Sequence, residues 1–304
     1  MTQNNSEGGE KVYFARHKYK YKTGNVKPLF NEHRIGIHYQ DSKSTRPEDY
    51  SKINGKVNKT AESTMGRYNE IRKKGAIVGA VYEGNDRKIF VGKVRPGTVN
   101  KCISVEGNGK GIFKTARLAN CKTVTFAECP VLWAIMPRQS TLVEWKKGAK
   151  ILRAIMRGEK MLKREVESLD IGQLEVLCYN YMVKNHYISS LLLPIGRTLR
   201  DVDIYGMDKR GQLVMAQVTQ SRNKAEIKEK KNGLLKAAGG KLSEAAGGKS
   251  VRLFLFARTH SREETGVKFI DIEGVFNELD KDTSYHDIIS RMLKIEFNDG
   301  CSED

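Results

Sequence analysis

The chain has 304 residues, enough for two domains of ordinary size, with 39% hydrophobic and 30% charged residues and a mean hydropathy of −0.54. No run approaches the ~20 apolar residues of a bilayer span, which excludes a membrane bundle, and the polar start MTQNNSEGGEKVYFARHK has no apolar signal-peptide core. Lys and Arg outnumber Asp and Glu by 54 to 36, a formal charge of +18, and such an excess favours a polyanion because each neutralised phosphate releases counterions.

Charge alone names no chemistry, since ribosomal, membrane-surface and nuclease proteins share this balance. The five cysteines (Cys102, Cys121, Cys129, Cys178, Cys301) are scattered, odd in number and without a CxxC pair. Neither a structural zinc site nor a disulfide framework is signalled, which fits a reducing, cytoplasmic protein.

Residues 1–28 form a polar, then basic arm in which Lys and Tyr alternate from His17 to Lys22. It reads either as a basic arm on a phosphate backbone or as an edge strand or loose tail. HRIGIHY (His33 to Tyr39) reads as a strand, and Thr60 to Lys74 as a helix with Met65, Tyr68 and Ile71 at helical spacing, stopped by Gly75. Short strands are expected at Ala76–Tyr82, Lys88–Val94, Lys101–Val105, Gly111–Leu118, Lys122–Phe126 and Val131–Ile135, and a helix at Trp145–Met156. Short strands with Gly-rich turns suggest a barrel or a strongly curved sheet. Residues 157–169 are charged and amphipathic and read as a linking helix.

A second region opens at Asp170. IGQLEVLCYNYM carries Leu174, Leu177, Cys178, Tyr181 and Met182 as an apolar stripe, with Glu175 beside it. Thr198 to Gln220 reads as a β-hairpin whose first arm alternates Asp201, Asp203 and Tyr205 and whose second alternates Leu213, Met215, Gln217 and Thr219 around the turn Asp208-Lys209-Arg210-Gly211. Paired arms bring Asp203 close to Gln217, and a carboxylate beside an amide carbonyl suits a hard cation such as Mg²⁺. The competing reading is an ordinary solvated strand face. A basic helix follows, with two AAGG units near its end. SVRLFLFAR then reads as a central buried strand, and Val267–Ile272 as a strand running into a helix. The order α-β-β-β-α-β-β-α describes an α/β domain with a mixed sheet.

Two resemblances follow from these residues. RIGIHY, a helix, and then KKGAIVGAVYEG…KIFVGKV resemble the PUA-like superfamily of small barrels, which includes EVE and ASCH domains. That likeness implies binding of RNA or modified DNA bases by residues 29–156. Stacking and edge-reading candidates there are His38, Tyr39, Trp133 and Trp145. The competing reading places each Trp in the core.

The helix with Glu175, the hairpin with Asp203 and AQVTQ, and the later FLFAR and VKFIDIEGVFNEL together resemble the PD-(D/E)xK nuclease superfamily, in its Mrr-like restriction endonuclease branch. The likeness implies a restriction-endonuclease-like mixed sheet over residues 170–304 and a Mg²⁺ or Mn²⁺ site. Its ligands would be Asp203, Gln217, the Val218 carbonyl and Glu175. The family's lysine should stand at Thr219, which carries no charge. Either Arg222, Lys224 or Lys236 reaches in, Lys224 being the leading substitute, or hydrolysis has been lost. Arg222 and Lys236 are also candidates for nucleic-acid contact.

The expectation is therefore a two-domain α+β / α/β, metal-dependent DNA endonuclease of restriction or phage-defence type, reading DNA that is modified or unmodified. The alternatives are an inactive nucleic-acid binder on a nuclease fold and a binder or processor of modified RNA. No membrane partner is implied, and a homodimer that cuts both strands is left open.

Overall fold

The computed structural model describes residues 10–17, 26–39, 42–53, 55–85, 87–107, 109–138, 141–196, 199–239 and 251–299, the side chains of 105–110 excepted. The alternating Lys/Tyr stretch after His17, Thr198, the second AAGG unit and Cys301 lie outside them. The chain divides into two compact units, residues 1–162 with 294–304, and residues 163–293. The architecture is mixed α+β, with several sheets. Among the described residues no helix is long and apolar enough to cross a membrane.

In the first unit, β1 (Val12–His17) is followed by α1 (Lys27–Asn31), β2 (Arg34–Ile37), the two-residue strands β3 (Lys52–Ile53) and β4 (Lys56–Val57), and α2 (Lys59–Lys74). The chain then runs through β5 (Ala76–Tyr82), β6 (Lys88–Val94), β7 (Lys101–Gly107), β8 (Gly109–Arg117), β9 (Ala119–Thr125), α3 (Pro130–Ile135), β10 (Leu142–Glu144) and α4 (Ala149–Arg157). One open sheet has the order β10-β1-β5-β6-β9, extended by Asn298–Asp299 against β9, and a second has the order β2-β8-β7. A single closed barrel is not seen among these strands. β5 is buried along its whole length, as its position between two neighbours requires.

Helix α2 forms as its sequence dictates. The Asn58 side chain accepts from Ala61 N at 3.0 Å, Met65, Tyr68 and Ile71 are buried, the last turn is basic, and Gly75 ends the helix at φ 78°. Two expectations are corrected here. Val131–Ile135 is the helix α3, not a strand, because Pro130 sits in its first turn with φ already set for a helix. The expected linking helix over residues 157–169 is absent: Arg157 is the last residue of α4, Gly158 takes the left-handed conformation that terminates it, and only a 3₁₀ turn at Val166–Ser168 follows.

His17 closes one end of β1. Its ring lies 4.8 Å from that of Tyr82, it is 3% exposed, and Nε2 has no hydrogen-bond partner among the described residues. Burial pushes its pKa from 6.5 down to about 4. The unfolded state therefore binds the proton more tightly than the folded one. Stability should be fully present above pH 6.5 and fall as the pH drops towards 4, by about 3 kcal/mol in total for a shift of this size. Urea titrations across that window should show the loss in the parent and a much flatter profile in His17→Phe. Equal slopes would remove His17 as the cause.

The second unit contains α5 (Ile171–Lys184), β11 (Ser190–Leu191), β12 (Ile204–Met207), β13 (Leu213–Val218), α6 (Lys224–Gly239), β14 (Val251–Ala257), β15 (Arg262–Glu264), β16 (Val267–Asp271), α7 (Ile272–Lys281) and α8 (Thr283–Leu293). α5 starts at a full capping box, Asp170 accepting from Gly172 N and Gln173 N while the Gln173 side chain accepts from Asp170 N. The mixed sheet runs β11-β12-β13-β14-β16-β15, with β13, β14 and β16 parallel. β14 is central, as its apolar run predicts, and Leu253 to Ala257 are all buried. The short edge strand β15 gave no sequence signal, since its residues Arg262-Glu263-Glu264 are all charged and exposed.

Candidate active site

The β12–β13 hairpin is real, and its turn is chemically locked. Asp208 Oδ1 accepts from Arg210 N and Gln212 N, each at 2.9 Å, and Gly211 supplies φ 73°. Tyr205 pairs with Met215 and Ile204 with Ala216. The first arm is shorter than its alternation suggests, because Asp201 and Asp203 precede the strand. Asp203 is nevertheless held in register: its N–H donates to Ala216 O at 2.9 Å and its carbonyl accepts from Gly196 N at 2.8 Å.

This register brings Asp203 against Gln217. Asp203 Oδ2 accepts from Gln217 Nε2 at 2.5 Å and from Val218 N at 2.8 Å. Gln217 is 3% exposed, and its Oε1 has no hydrogen-bond partner among the described residues. Reversing the amide would turn an acceptor towards the carboxylate, so the oxygen is the atom left over. A buried carbonyl oxygen without a donor costs ~1–3 kcal/mol, and such an atom invites a ligand.

Burial raises the Asp203 pKa above its ordinary value, opposed by the Val218 N–H, the charge of Lys230 and the Gln217 amide. Glu175, on α5, is 8% exposed. The thiol of Cys178, one turn further along α5, is pushed well above its ordinary range by its burial and then by the charges of Asp203 and Glu175. Both carboxylates therefore act on one buried point. Gly196 touches both residues, since its N–H bonds the backbone carbonyl of Asp203 and a Cβ there would overlap Glu175 Oε2.

Not every expected residue joins this centre. Thr219 is buried and neutral, its Oγ1 accepting from Ser221 N at 3.2 Å. Arg222 is ion-paired with Glu273 at 3.1 Å and with Glu167 at 3.5 Å, so its guanidinium is committed elsewhere. Lys224 and Lys236 are exposed on α6 and have no described contact with Asp203 or Gln217. The cation that Asp203 does feel is Lys230, which sequence spacing did not single out from the other lysines of α6.

In the first unit the aromatic candidates separate. Trp145 is 2% exposed, donates from Nε1 to Ile135 O at 3.1 Å, and packs so closely on Gly79 and Gly148 that a Cβ at either would lie 2.8 or 2.5 Å from its ring. It offers no face to a base, and its assignment as a stacking residue is corrected to core. Trp133 is half-buried, edge-on to Phe126 at 6.0 Å, and Phe126 is 59% exposed. His38 packs 5.3 Å from Phe113, and Tyr39 lies against the core.

A divalent cation would find hard oxygens here: Asp203 Oδ1, which accepts no described hydrogen bond, and Gln217 Oε1. Among the described residues no group of three or more His, Cys, Asp and Glu is arranged to hold a metal ion. The donor set is thus of the sparse kind that Mg²⁺ tolerates, one or two carboxylates with water and phosphate completing the shell.

No family model matches the chain, and no curated protein matches it. Two solved structures are similar to it at low scores. One is an EndoMS complex with double-stranded DNA, 12% identical with a TM-score of 0.23, covering 60% of this chain and 73% of that one. The other is a repair endonuclease from Pyrococcus abyssi, 14% identical with a TM-score of 0.21, covering 65% and 72%. Likenesses of that size define neither the fold nor the activity.

Proposed function

We propose that the chain is a divalent-cation-dependent DNA endonuclease of restriction or phage-defence type. The observation that carries the reading is the Asp203–Gln217 pair, a buried carboxylate beside a buried amide oxygen that has no donor among the described residues. Asp203, Gln217, the Val218 carbonyl and Glu175 would hold Mg²⁺ or Mn²⁺. When bound, the cation neutralises charge at the scissile phosphate and makes a nucleophilic water available. The protein's own part is positional. The Val218 N–H and the Gln217 amide fix the Asp203 carboxylate, and α5 would bring Glu175 to the same centre. The first unit would read DNA through His38, Tyr39 and Trp133, a modified base included, and the +18 charge supports a polyanion partner.

Purified protein incubated with plasmid and modified phage DNA should cut in Mg²⁺ or Mn²⁺ and not in chelator. Gln217→Ala should lower the rate by about 10–100-fold, the loss typical of a supporting ligand. No cutting of any DNA, or full activity in Gln217→Ala, defeats the reading. The neutral, tied-back Thr219 favours a second reading, a binder that has lost hydrolysis. Competition between DNA and RNA at one salt concentration then identifies what is bound.

A further inference from the structure

Helix α6 carries lysines at 224, 228, 230, 231 and 236. Lys224, Lys228 and Lys236 are exposed, and only Lys230 and Lys231 are half-buried. Lys231 is committed, its Nζ bonding Glu264 at 2.6 Å and Thr265 Oγ1 at 2.8 Å. Lys230 has no hydrogen bond and no ion pair among the described residues. A half-buried ammonium without a partner is costly to hold, and the cost is relieved by a nearby carboxylate or an anionic ligand.

Its position on the helix says which. α6 packs on β13 and β14. Gly233 meets the start of the hairpin so closely that a Cβ there would stand 2.8 Å from Asp201 Oδ1. Lys230 is three residues earlier and so lies on the same side of the helix as Gly233. Ile227 and Leu234 are buried at its flanks and fix the helix's rotation. Asp203 follows Asp201 by two residues, so the half-buried Lys230 faces the side of the hairpin that carries both, and its charge favours the ionised Asp203. Two other cations of this unit, Arg222 and Arg258, both pair with Glu167 and Glu273.

We infer that Lys230 is the catalytic cation of this centre, contacting the scissile phosphate beside Asp203 and Gln217 and supplying the positive charge that Thr219 cannot. The inference rests on reading that pair as a phosphodiester-hydrolysing site. Cleavage adds water across the P–O ester bond: the water oxygen bonds phosphorus, and the leaving oxygen departs with the bonding pair and takes a proton. Negative charge grows on the phosphate oxygens as this happens, and a fixed ammonium stabilises that charge more than the ground state. The same ammonium repels a divalent cation at Asp203, so removing it has opposite effects on the two functions.

The test uses the full chain with Lys230→Met and Lys230→Arg. It reads single-turnover cleavage at saturating DNA and, separately without DNA, the Mn²⁺ concentration at the midpoint of the thermal shift. Lys230→Met should cleave ~10²-fold more slowly, yet reach its Mn²⁺ midpoint at about fivefold lower concentration. Lys230→Arg should keep the parent midpoint and recover part of the rate. Parent-like cleavage in Lys230→Met overturns the inference, as does an unchanged Mn²⁺ midpoint. If the parent cuts nothing, the hydrolytic reading has failed by itself, and the Mn²⁺ midpoint still decides whether Lys230 faces the pair. Absence of any Mn²⁺ shift in the parent removes both.

Discussion

Asp203→Asn is expected to abolish cleavage, by about 10³-fold or more, and to eliminate the Mg²⁺- or Mn²⁺-induced thermal shift, while leaving the unliganded protein at least as stable as the parent at neutral pH. The two halves have one cause. The asparagine oxygen can still accept from Val218 N and Gln217 Nε2, the two bonds the carboxylate makes through Oδ2. The hairpin therefore keeps its register. What disappears is the charge, and with it the principal attraction for a divalent ion. In the parent that charge is held against its burial, which raises the Asp203 pKa. Removing it relieves a cost. A gain in stability with a loss of function marks a residue kept for chemistry rather than packing. Thermal melts with and without Mn²⁺, beside a cleavage assay, read both halves. A clear drop in unliganded stability would instead make Asp203 a structural residue, and a persistent Mn²⁺ shift would place the ion elsewhere.

Much of the second unit was legible because local and global signals agree there. The apolar stripe of α5, the turn at Asp208 to Gly211 and the apolar run of β14 each announce themselves within a few residues. The nearness of Asp203 and Gln217 followed from pairing the arms of one hairpin. Lys230 and Gly196 did not follow from anything local. Lys230 reaches its place through the packing of α6 on the sheet, and nothing in its neighbourhood separates it from the exposed Lys228. Gly196 matters through a side chain 21 positions earlier, Glu175. The failures in the first unit are of the same kind. A tryptophan's large apolar area and its stacking face give one sequence signal, and only the glycines against its ring show that Trp145 is core. Val131–Ile135 has the apolar residues of a strand, and the proline before it decided for a helix.

Gly196→Ala separates the contribution of Glu175 from that of the hairpin. Gly196 has φ 73°, the left-handed region, where an L side chain costs ~1–2 kcal/mol. It also lacks room: the added Cβ would overlap Glu175 Oε2, on a residue that is itself buried. Total destabilisation should be about 2–4 kcal/mol once the overlap is added. Cleavage should fall at least tenfold, since Glu175 must move off the centre while Asp203, whose carbonyl accepts from Gly196 N, is disturbed with it. Gly211→Ala supplies the reference. It has the same φ of 73° in the hairpin turn, with nothing within 4 Å of its added Cβ, so it should lose only the conformational part and retain activity. The double variant Glu175→Ala with Gly196→Ala should recover the steric share of the stability and none of the activity. Chemical denaturation of the four proteins measures the first quantity, and single-turnover cleavage the second. Equal losses in Gly196→Ala and Gly211→Ala would show that Glu175 yields without cost, and the glutamate would then have no fixed place in the site.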